Sequence, residues 1–280
     1  MTLINHKNRI LELYKDENSL RKKKFMPFFV VGDPNINQFK KLIKNIEPYA
    51  DIIEIGIPFS DPIADGPTIQ EANHRAFKAG INTDVALETI KDIRKITEKP
   101  IVVLTYYNIL IQGSNTIENS LDRTFKSLKE SGVDGIVIAD LPVEEAGLAL
   151  KYCDKYNILL IFLIAPTTTE KRLNKILKVA RGFLYLITVM GITGSRGSIA
   201  EITKKTIKRI KNKTENSIPI FLGFGISKPA HASKLIELGA DGIIIGSAII
   251  NIIKENLGDF NAIKENVVDF VSSIKDAIDK

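Results

Sequence analysis

The chain of 280 residues is 44% hydrophobic and 26% charged, a composition typical of folded globular proteins that excludes a disordered or membrane-embedded chain. Its formal net charge of +6 comes from lysines spread through segments of helical periodicity, without a basic stripe interleaved with aromatics, which argues against nucleic acid as a ligand. One cysteine, Cys153, and the absence of an export signal or a bilayer-length apolar run predict a cytoplasmic protein without an intrachain disulfide, with an organelle stroma as the alternative.

Short runs rich in β-branched residues predict eight strands, and segments with apolar residues three or four apart separate them. The predicted strands span 25–31, 51–55, 101–106, 134–139, 158–164, 183–188, 218–222 and 241–245. Strict alternation with helices predicts parallel strands joined by right-handed crossovers, and eight such strands form a closed barrel. We therefore predict an α/β fold, a (β/α)8 TIM barrel forming a single domain over 1–280.

Two additions to the barrel are predicted, an extra helix before the first strand and a short phosphate-binding helix after the eighth. The alternative is an open doubly wound sheet. Such a sheet usually carries a glycine-rich dinucleotide fingerprint after its first strand, and VVGDPN at 30–35 is not that fingerprint.

One segment of the chain recurs. SGVDGIVIAD (131–140) and LGADGIIIGS (238–247) share a pattern, and YADIIEIG (49–56) is a fainter third copy. Each copy predicts the same structural step, the end of a helix leading into a buried strand.

Helix boundaries are predicted from capping patterns. Capping boxes are expected at 68–71, 167–170 and 198–201. In a capping box the side chain of the first residue, Ser or Thr, accepts the backbone N–H of the fourth, and the Glu side chain at the fourth accepts the backbone N–H of the first. Left-handed C-terminal caps are expected at Gly80, Gly132, Gly182 and Gly239.

Glycine-bearing loops follow the last three predicted strands, with the sequences VMGITGSRG, GFGIS and GSA. Glycines let backbone N–H groups approach an anion closely, and the helix predicted to begin at SAIINIIKEN would point its N-terminus at it. Loops at this end of a barrel are the recurrent phosphate site. We predict N–H donors at Gly194, Gly225, Gly246 and Ser247, and a phosphate ester as the ligand.

A carboxylate, Glu54, interrupts the second predicted strand. In a regular strand Ile52, Glu54 and Gly56 share one face, and in a barrel that face looks inward. An unpaired carboxylate there is desolvated, which raises its pKa and makes a proton donor available near neutral pH.

A second acid is expected on the loop that follows, in a more solvated setting where it stays ionised. Two carboxylates in unlike environments can divide acid and base roles. Residue spacing alone does not decide whether Asp61 or Asp65 is this second carboxylate.

These loops and strands resemble those of the tryptophan synthase α subunit family. The resemblance covers nearly the whole chain, through PFFVVGDPN (27–35), IEIGIPFSDPIADGPTIQ (53–70), LTYYNIL (104–110), GVDGIVIADLPVEE (132–145), GITGSRG (191–197), GFGIS (223–227) and IIGSAII (244–250). It implies a barrel that cleaves indole-3-glycerol phosphate to indole and glyceraldehyde 3-phosphate and passes indole to a pyridoxal-phosphate β subunit. An α2β2 heterotetramer is the implied assembly, with no metal or organic cofactor in this barrel.

Position by position, the resemblance implies that Glu54 is the catalytic acid and base and Asp65 the second carboxylate, which decides between Asp65 and Asp61. Glu54 would protonate indole C3 and later take the hydroxyl proton, while Asp65 would hold the ring N–H. The resemblance also places Phe28, Tyr106, Tyr185 and Phe224 around the indole ring, Asp140 on the loop after the fourth strand, and Thr193 and Gly194 on the loop after the sixth.

Three other functions remain as alternatives. The first is a free-standing indole-3-glycerol-phosphate lyase without a β partner, and the second is a non-catalytic regulatory subunit. The third, a sugar-phosphate epimerase, is disfavoured because His6, His74 and His231 fall in helical segments and do not form a metal-ligand set.

Overall fold

The computed structural model of the chain describes residues 8–187, 196–223 and 225–280, and of residues 196–200 it describes only the backbone. The predicted site residues Thr193, Gly194 and Phe224 lie outside the described residues. Among those that are described, no helix combines the length and the apolar character needed to cross a membrane.

The described strands form one parallel sheet in which the first strand pairs with both the second and the last. The strands are β1 (Lys24–Val30), β2 (Ile53–Gly56), β3 (Ile101–Thr105), β4 (Gly135–Ile138), β5 (Leu159–Leu160), β6 (Leu163–Ile164), β7 (Leu184–Ile187), β8 (Ile220–Gly223) and β9 (Gly242–Ile245). All eight predicted strands are present, with boundaries within two residues of those predicted.

The fifth barrel strand is split into β5 and β6, which together fill the predicted run 158–164. Its first half pairs with β4 and its second half pairs with β7. Because two residues of the same strand separate the halves, the change of partner closes the ring. The predicted (β/α)8 barrel is confirmed.

Helices alternate with the strands along the chain, and two short helices precede β1. The helices are α1 (Arg9–Glu12), α2 (Glu17–Arg21), α3 (Ile36–Ile46), α4 (Pro67–Lys78), α5 (Thr83–Arg94), α6 (Tyr107–Leu110), α7 (Ile117–Glu130), α8 (Gly147–Tyr156), α9 (Glu170–Val179), α10 (Arg196–Thr214), α11 (Pro229–Glu237), α12 (Ser247–Glu255) and α13 (Phe260–Asp279), with a 3-10 turn at Glu47–Tyr49. The predicted N-terminal helix and the short helix after the last strand are both present.

Hydrophobic side chains fill two separate layers. An inner cluster includes Met26, Ile52 and Phe221 and fills the barrel, while a larger outer cluster packs the other face of each strand against the helices. Ile10 of α1 joins the inner cluster and is fully buried. A Cβ added at Gly135 would lie 2.7 Å from Ile10 Cδ1, so the missing side chain on β4 makes room for this N-terminal plug.

The repeated segment forms the same backbone clamp in all three copies. Asp134 donates its N–H to the carbonyl of Ile101 at 2.9 Å, and its carboxylate accepts the N–H of Ile101 at 3.0 Å. Asp51 and Asp241 make the same pair of bonds to the strand that precedes each of them. We call Asp51, Asp134 and Asp241 the clamp aspartates.

Each clamp aspartate also meets a cation at the N-terminal end of the barrel. The ion pairs are Arg9 and Arg94 with Asp134, Lys275 with Asp51, and Lys23 and Lys211 with Asp241. Because charge and hydrogen-bonding capacity are both satisfied, these buried and half-buried carboxylates hold neighbouring strands in register.

The predicted helix starts are wrong. Pro67, with its fixed φ and no N–H, takes the first helical position of α4, so Gly66 is the N-cap and Thr68 already lies inside the helix. The cap of α9 is Thr169, two residues after the predicted position, and residues 198–201 lie within α10. The predicted C-terminal caps at Gly80, Gly132 and Gly239 are confirmed, since each directly follows a helix C-cap with a positive φ. Gly182 also has a positive φ, but α9 ends at Val179 and is capped by the extended Ala180, so that predicted cap is wrong.

Candidate active site

Glu54 lies on the inner face of β2, as the alternation predicts. Ile52 belongs to the inner cluster, whereas Ile53 and Ile55 belong to the outer one. On the neighbouring strand, Phe28 is its register partner. The side chain therefore points into the barrel near the C-terminal ends of the strands, where barrel chemistry is found.

The carboxyl group of Glu54 is fully buried and alone. It is 0% exposed, and within the described part of the chain neither of its oxygens has a hydrogen-bond partner. Burial, and to a lesser degree the negative charge of Asp65, raises the pKa of Glu54 to about 8. At neutral pH this group therefore carries a proton that it can give away.

Asp65 lies on the loop between β2 and α4, half-buried and more exposed than Glu54, as predicted. Burial raises the pKa of Asp65, and hydrogen bonds from Tyr106 and Asn73 oppose that rise. Asp61, the competing acid, is exposed and accepts a hydrogen bond from the Ser60 hydroxyl at 2.5 Å. Asp65 lines the cavity described next, and Asp61 does not.

A cavity of about 220 Å³ opens at the C-terminal end of the barrel. Its apolar part comes from Phe28, Leu104, Tyr185 and Ile244, side chains of strands β1, β3, β7 and β9. Asp65 lies on its edge. An apolar pocket with one carboxylate suits a flat aromatic ligand that carries one N–H donor.

Glycines set the position of two aromatic rings in this cavity. A Cβ at Gly56 would lie 2.7 Å from Phe28 Cζ, and one at Gly246 would lie 2.8 Å from Phe28 Cδ1. A Cβ at Gly223 would lie 2.6 Å from Tyr185 Cε2. The rings of Phe28 and Tyr185 occupy the space that side chains on the adjacent strand ends would need.

The opposite rim of the cavity presents the start of α12. Gly246 is the N-cap, and among the described residues no side chain caps the helix, so within this part of the chain its first N–H groups are available to another acceptor. Gly225, Gly246 and Ser247 all line the cavity, and Gly225 has a φ of +74° that favours glycine. This arrangement of free N–H groups at a helix N-terminus is suited to a phosphate.

Like Glu54, two further predicted residues, Tyr106 and Asp140, do not line the cavity. Tyr106 is 1% exposed, and its hydroxyl accepts the N–H of Ala64 at 3.1 Å. Asp140 accepts the N–H of Tyr107 at 2.8 Å, which ties the loop after β4 to the end of β3. Both side chains are occupied with loops that border the site.

Sequence reasoning missed one polar residue of the site, Asn73. It lies on the buried face of α4 between Ala72 and Ala76, and it acts to lower the pKa of Asp65. A polar side chain at a buried helical position was the signal that could have identified it. In the described parts of the chain, no three His, Cys, Asp or Glu side chains converge as metal ligands would.

Comparisons with known proteins agree with this geometry. The family model described as tryptophan synthase alpha chain matches residues 14–279. The tryptophan synthase alpha chain of Methanocaldococcus jannaschii is 45% identical over 252 residues, 90% of this chain and 86% of that one. That of Methanothermobacter thermautotrophicus is 44% identical over 236 residues, 84% of each chain.

Solved structures are similar over almost the full length. Tryptophan synthase subunit alpha from Legionella pneumophila matches with a TM-score of 0.84 and 32% identity, over 98% of this chain and 99% of that one. A chain of the tryptophan synthase a2b2 complex from Pyrococcus furiosus matches with a TM-score of 0.78 and 34% identity, over 90% and 98%. The chain belongs to the tryptophan synthase alpha chain family.

Proposed function

We propose that this chain cleaves indole-3-glycerol phosphate to indole and glyceraldehyde 3-phosphate. The observation that carries the proposal is the fully buried carboxyl of Glu54, which has no hydrogen-bond partner among the described residues and lies beside Phe28, a residue of a cavity that reaches from an apolar pocket to the start of α12. The apolar pocket matches an indole ring, and the free N–H groups of α12 match the phosphate at the other end of the substrate.

The carbon–carbon bond is broken by a retro-aldol reaction, in which the substrate gains one proton on the indole ring and loses one proton from a glycerol hydroxyl. Glu54, protonated at neutral pH, gives its proton to indole C3, and the ring nitrogen takes up positive charge. The Glu54 carboxylate then removes the proton of the glycerol hydroxyl next to the breaking bond. The electrons of that bond return to the ring, and the products are indole and an aldehyde.

Asp65 supports the ring nitrogen during this step. It lies on the cavity edge and, as a carboxylate, accepts the indole N–H and stabilises the positive charge that develops there. The two acids therefore divide the work, with one protonated and one ionised before the reaction starts.

Among the described residues that line the cavity there is no lysine or arginine, so backbone N–H groups are the proposed phosphate ligands. Gly225, Gly246 and Ser247 lie on the rim, where the N-terminus of α12 favours a negative group. Binding of the remote phosphate fixes the position of the ring over Glu54, so its binding energy contributes to orientation.

The partner of the chain is a tryptophan synthase β chain, as in the a2b2 complex of the Pyrococcus furiosus relative. Ile63, on the loop that also carries Asp65, is 85% exposed, so this loop is open to a partner chain. A chain seated there would press on the loop that positions Asp65. Family membership also supports a cytoplasmic location.

The test is to mix the purified chain with indole-3-glycerol phosphate, with and without the β chain, and to follow indole release. Release that rises steeply with the β chain supports the proposal, and full activity alone favours a free-standing lyase. No indole release above that of the β chain alone would indicate a non-catalytic subunit, and a Glu54→Gln variant as active as the parent would contradict the role given to Glu54. Glu130→Gln, the same change on an exposed helix surface, is the matched control and keeps the activity of the parent.

A further inference from the structure

Two helices that line the cavity are joined to each other by an ion pair. Helix α4 contributes Ile69 to the lining, and helix α12 contributes Ser247, its first residue. Two residues after Ile69, Glu71 places its Oε2 2.6 Å from the Nζ of Lys254 on α12. We call Glu71 and Lys254 the strap pair. Neither side chain lines the cavity, so the strap pair contacts the helices that hold a ligand rather than the ligand itself.

The middle of α4 is fixed to the barrel by a second, buried ion pair. Arg75 donates from Nε to Asp33 Oδ1 at 2.7 Å and from a terminal nitrogen to Asp33 Oδ2 at 2.8 Å. The side chain of Asp33 is 0% exposed and lies just beyond β1, the strand that carries Phe28 of the cavity. A two-point contact of this kind fixes direction as well as distance. Helix α4 is therefore a firm base for an element bonded to it.

The first turns of α4 are bonded in turn to the loop that carries Asp65. Gln70 donates from Nε2 to the Asp65 carbonyl at 2.8 Å, and one residue separates Asp65 from Pro67, the first residue of the helix. The backbone of Asp65 therefore follows the position of α4. Because Gln70 and Glu71 are neighbours in the chain, one turn of α4 is bonded both to the Asp65 loop and to α12.

Helix α12 packs against the barrel through apolar side chains at three positions, Ile249, Ile250 and Ile253, all 0% exposed. Hydrophobic packing is non-directional, so it holds the helix close without fixing its tilt. Lys254 follows Ser247 by about two turns, roughly 10 Å along the axis at 1.5 Å per residue. A bond at that distance from the N-terminus controls the direction in which the start of α12 points.

We propose that Glu71 and Lys254 are positioning residues of the cavity, and that their ion pair sets the distance between the Asp65 loop and the start of α12. The ligand it serves has an aromatic ring at one end and a phosphate at the other. The consequence for catalysis rests on the proposed function. The coupling between the two helices does not, because a ligand that is never cleaved can measure it.

A ligand that spans the cavity needs both of its ends held at the right separation. If the two helices move relative to each other, only the fraction of molecules with the correct separation binds, and the apparent affinity falls by that fraction. A ligand that occupies one end does not need the alignment. The strap pair should therefore strengthen the binding of two-ended ligands and leave the binding of one-ended ligands unchanged.

The test breaks the strap pair from each side, with Lys254→Met and Glu71→Gln. The two changes alter the local charge in opposite directions. A direct electrostatic effect on an anionic ligand would therefore weaken binding in Lys254→Met and strengthen it in Glu71→Gln. Loss of the strap pair weakens binding in both. Lys254→Arg keeps a cation that can pair with Glu71, and it should bind as the parent does.

Lys155→Met is the matched control. Lys155 Nζ lies 2.6 Å from Asp122 Oδ1, and this pair joins α8 to α7 with an exposure similar to that of the strap pair. Neither Lys155 nor Asp122 lines the cavity. The control therefore removes the same charge and a bond of the same length at another site. Thermal unfolding of each variant confirms that it is folded.

The probe is an uncleavable analogue of the substrate, an indole joined to a phosphate by a plain three-carbon chain. Its dissociation constant for the full chain is measured by calorimetry, and those of indole and glycerol 3-phosphate are measured by NMR titration. We expect the constant of the analogue to rise about threefold in Lys254→Met and in Glu71→Gln, within the range of one half-exposed ion pair. The constants of the two one-ended ligands stay at their parent values.

Four binding results overturn the inference. They are an analogue constant that fails to rise in either strap variant, constants that move in opposite directions in the two variants, an equal rise in Lys155→Met, and an equal loss for glycerol 3-phosphate. The first shows that the pair does not align the helices, and the second and fourth show a direct effect on the anion. The third shows that any ion pair has the same effect.

Kinetics in the complex with the β chain give a second readout. KM for indole-3-glycerol phosphate should rise about threefold in the two strap variants with kcat unchanged, because alignment is complete once the substrate is bound. An unchanged KM overturns the inference. If the parent releases no indole and the analogue still binds less tightly to both variants, the positioning role is upheld and only the proposed function is contradicted. A parent that does not bind the analogue overturns both.

Discussion

At the N-terminal end of the barrel, the carboxylate of Asp134 is 4% exposed and meets two arginines and a backbone N–H. At the C-terminal end, the carboxyl of Glu54 is equally inaccessible and, among the described residues, meets no hydrogen-bond donor and no cation. Burial is therefore not what separates the two groups. The two groups differ in their partners, because a paired carboxylate stabilises the fold and an unpaired one keeps its proton.

The contrast divides stability and chemistry between the two ends. The clamp aspartates hold neighbouring strands together and cannot easily change their charge. Glu54 contributes no ion pair that the fold depends on, and its state is free to change during a reaction. Disturbing each end separately shows whether this division holds.

The largest effect is expected at the C-terminal end, for Glu54→Gln. This isosteric change removes the exchangeable proton, so kcat for indole release should fall about 10³-fold, in the range of general acid–base catalysis. The thermal unfolding temperature at pH 6.5 should not fall below that of the parent, because glutamine keeps a neutral group at the buried position and takes up no proton on folding. A large loss of stability would mean that Glu54 has a structural partner.

The opposite result is expected at the N-terminal end, for Asp134→Ala. The change leaves Arg94 buried without its anion and removes the acceptor for the Ile101 N–H, so unfolding free energy should fall by about 3 kcal/mol. Urea denaturation measures it, and Asp154→Ala, an exposed aspartate, should show no such loss. Indole release by the folded variant should stay within about twofold, and a large drop in kcat would show that the two ends are coupled.

A pH dependence of stability should follow from Glu54 as well. Its folded pKa of about 8 lies above its unfolded value, so between about pH 4.5 and 8 the folded chain holds more protons than the unfolded one. Unfolding free energy then falls as pH rises through this window, by at most about 1.4 kcal/mol per unit from this group. Urea titrations of the parent and Glu54→Gln should diverge in this window and run parallel above it.

A smaller effect is expected from Gly246→Ala. The added Cβ would lie 2.8 Å from Phe28 Cδ1, so either the ring or the start of α12 must move. Both surround the substrate, and we expect KM for indole-3-glycerol phosphate to rise about tenfold with a smaller change in kcat. Steady-state kinetics with the β chain present measures this. An unchanged KM would show that the cavity adapts without cost.

Much of this arrangement could be predicted from sequence because it depends on local patterns. Alternation along β2 places Glu54 inside the barrel, and the repeated segment correctly identifies a repeated structural step. The positive φ of Gly132 and Gly239 follows from their place after apolar-periodic runs. Each of these depends on neighbours within a few residues.

Other features depend on packing between distant segments, and sequence could not supply them. The start of α4 is an exception, because Pro67 is a local signal that was overlooked in favour of the apparent capping box. Residue spacing left the choice between Asp65 and Asp61 open, the family resemblance indicated Asp65, and of the two only Asp65 lines the cavity. The effect of Asn73 on the pKa of Asp65 depends on how α4 lies against its own preceding loop, which no spacing rule contains.

The central claim is tested most directly by the protonation of Glu54 in the free protein. The side-chain carboxyl carbon of glutamate, labelled with carbon-13 and assigned by its loss in Glu54→Gln, is followed by NMR from pH 4 to 10. The account predicts a midpoint near 8, set by burial and by the charge of Asp65. A midpoint near the ordinary glutamate value of about 4.3 would contradict it.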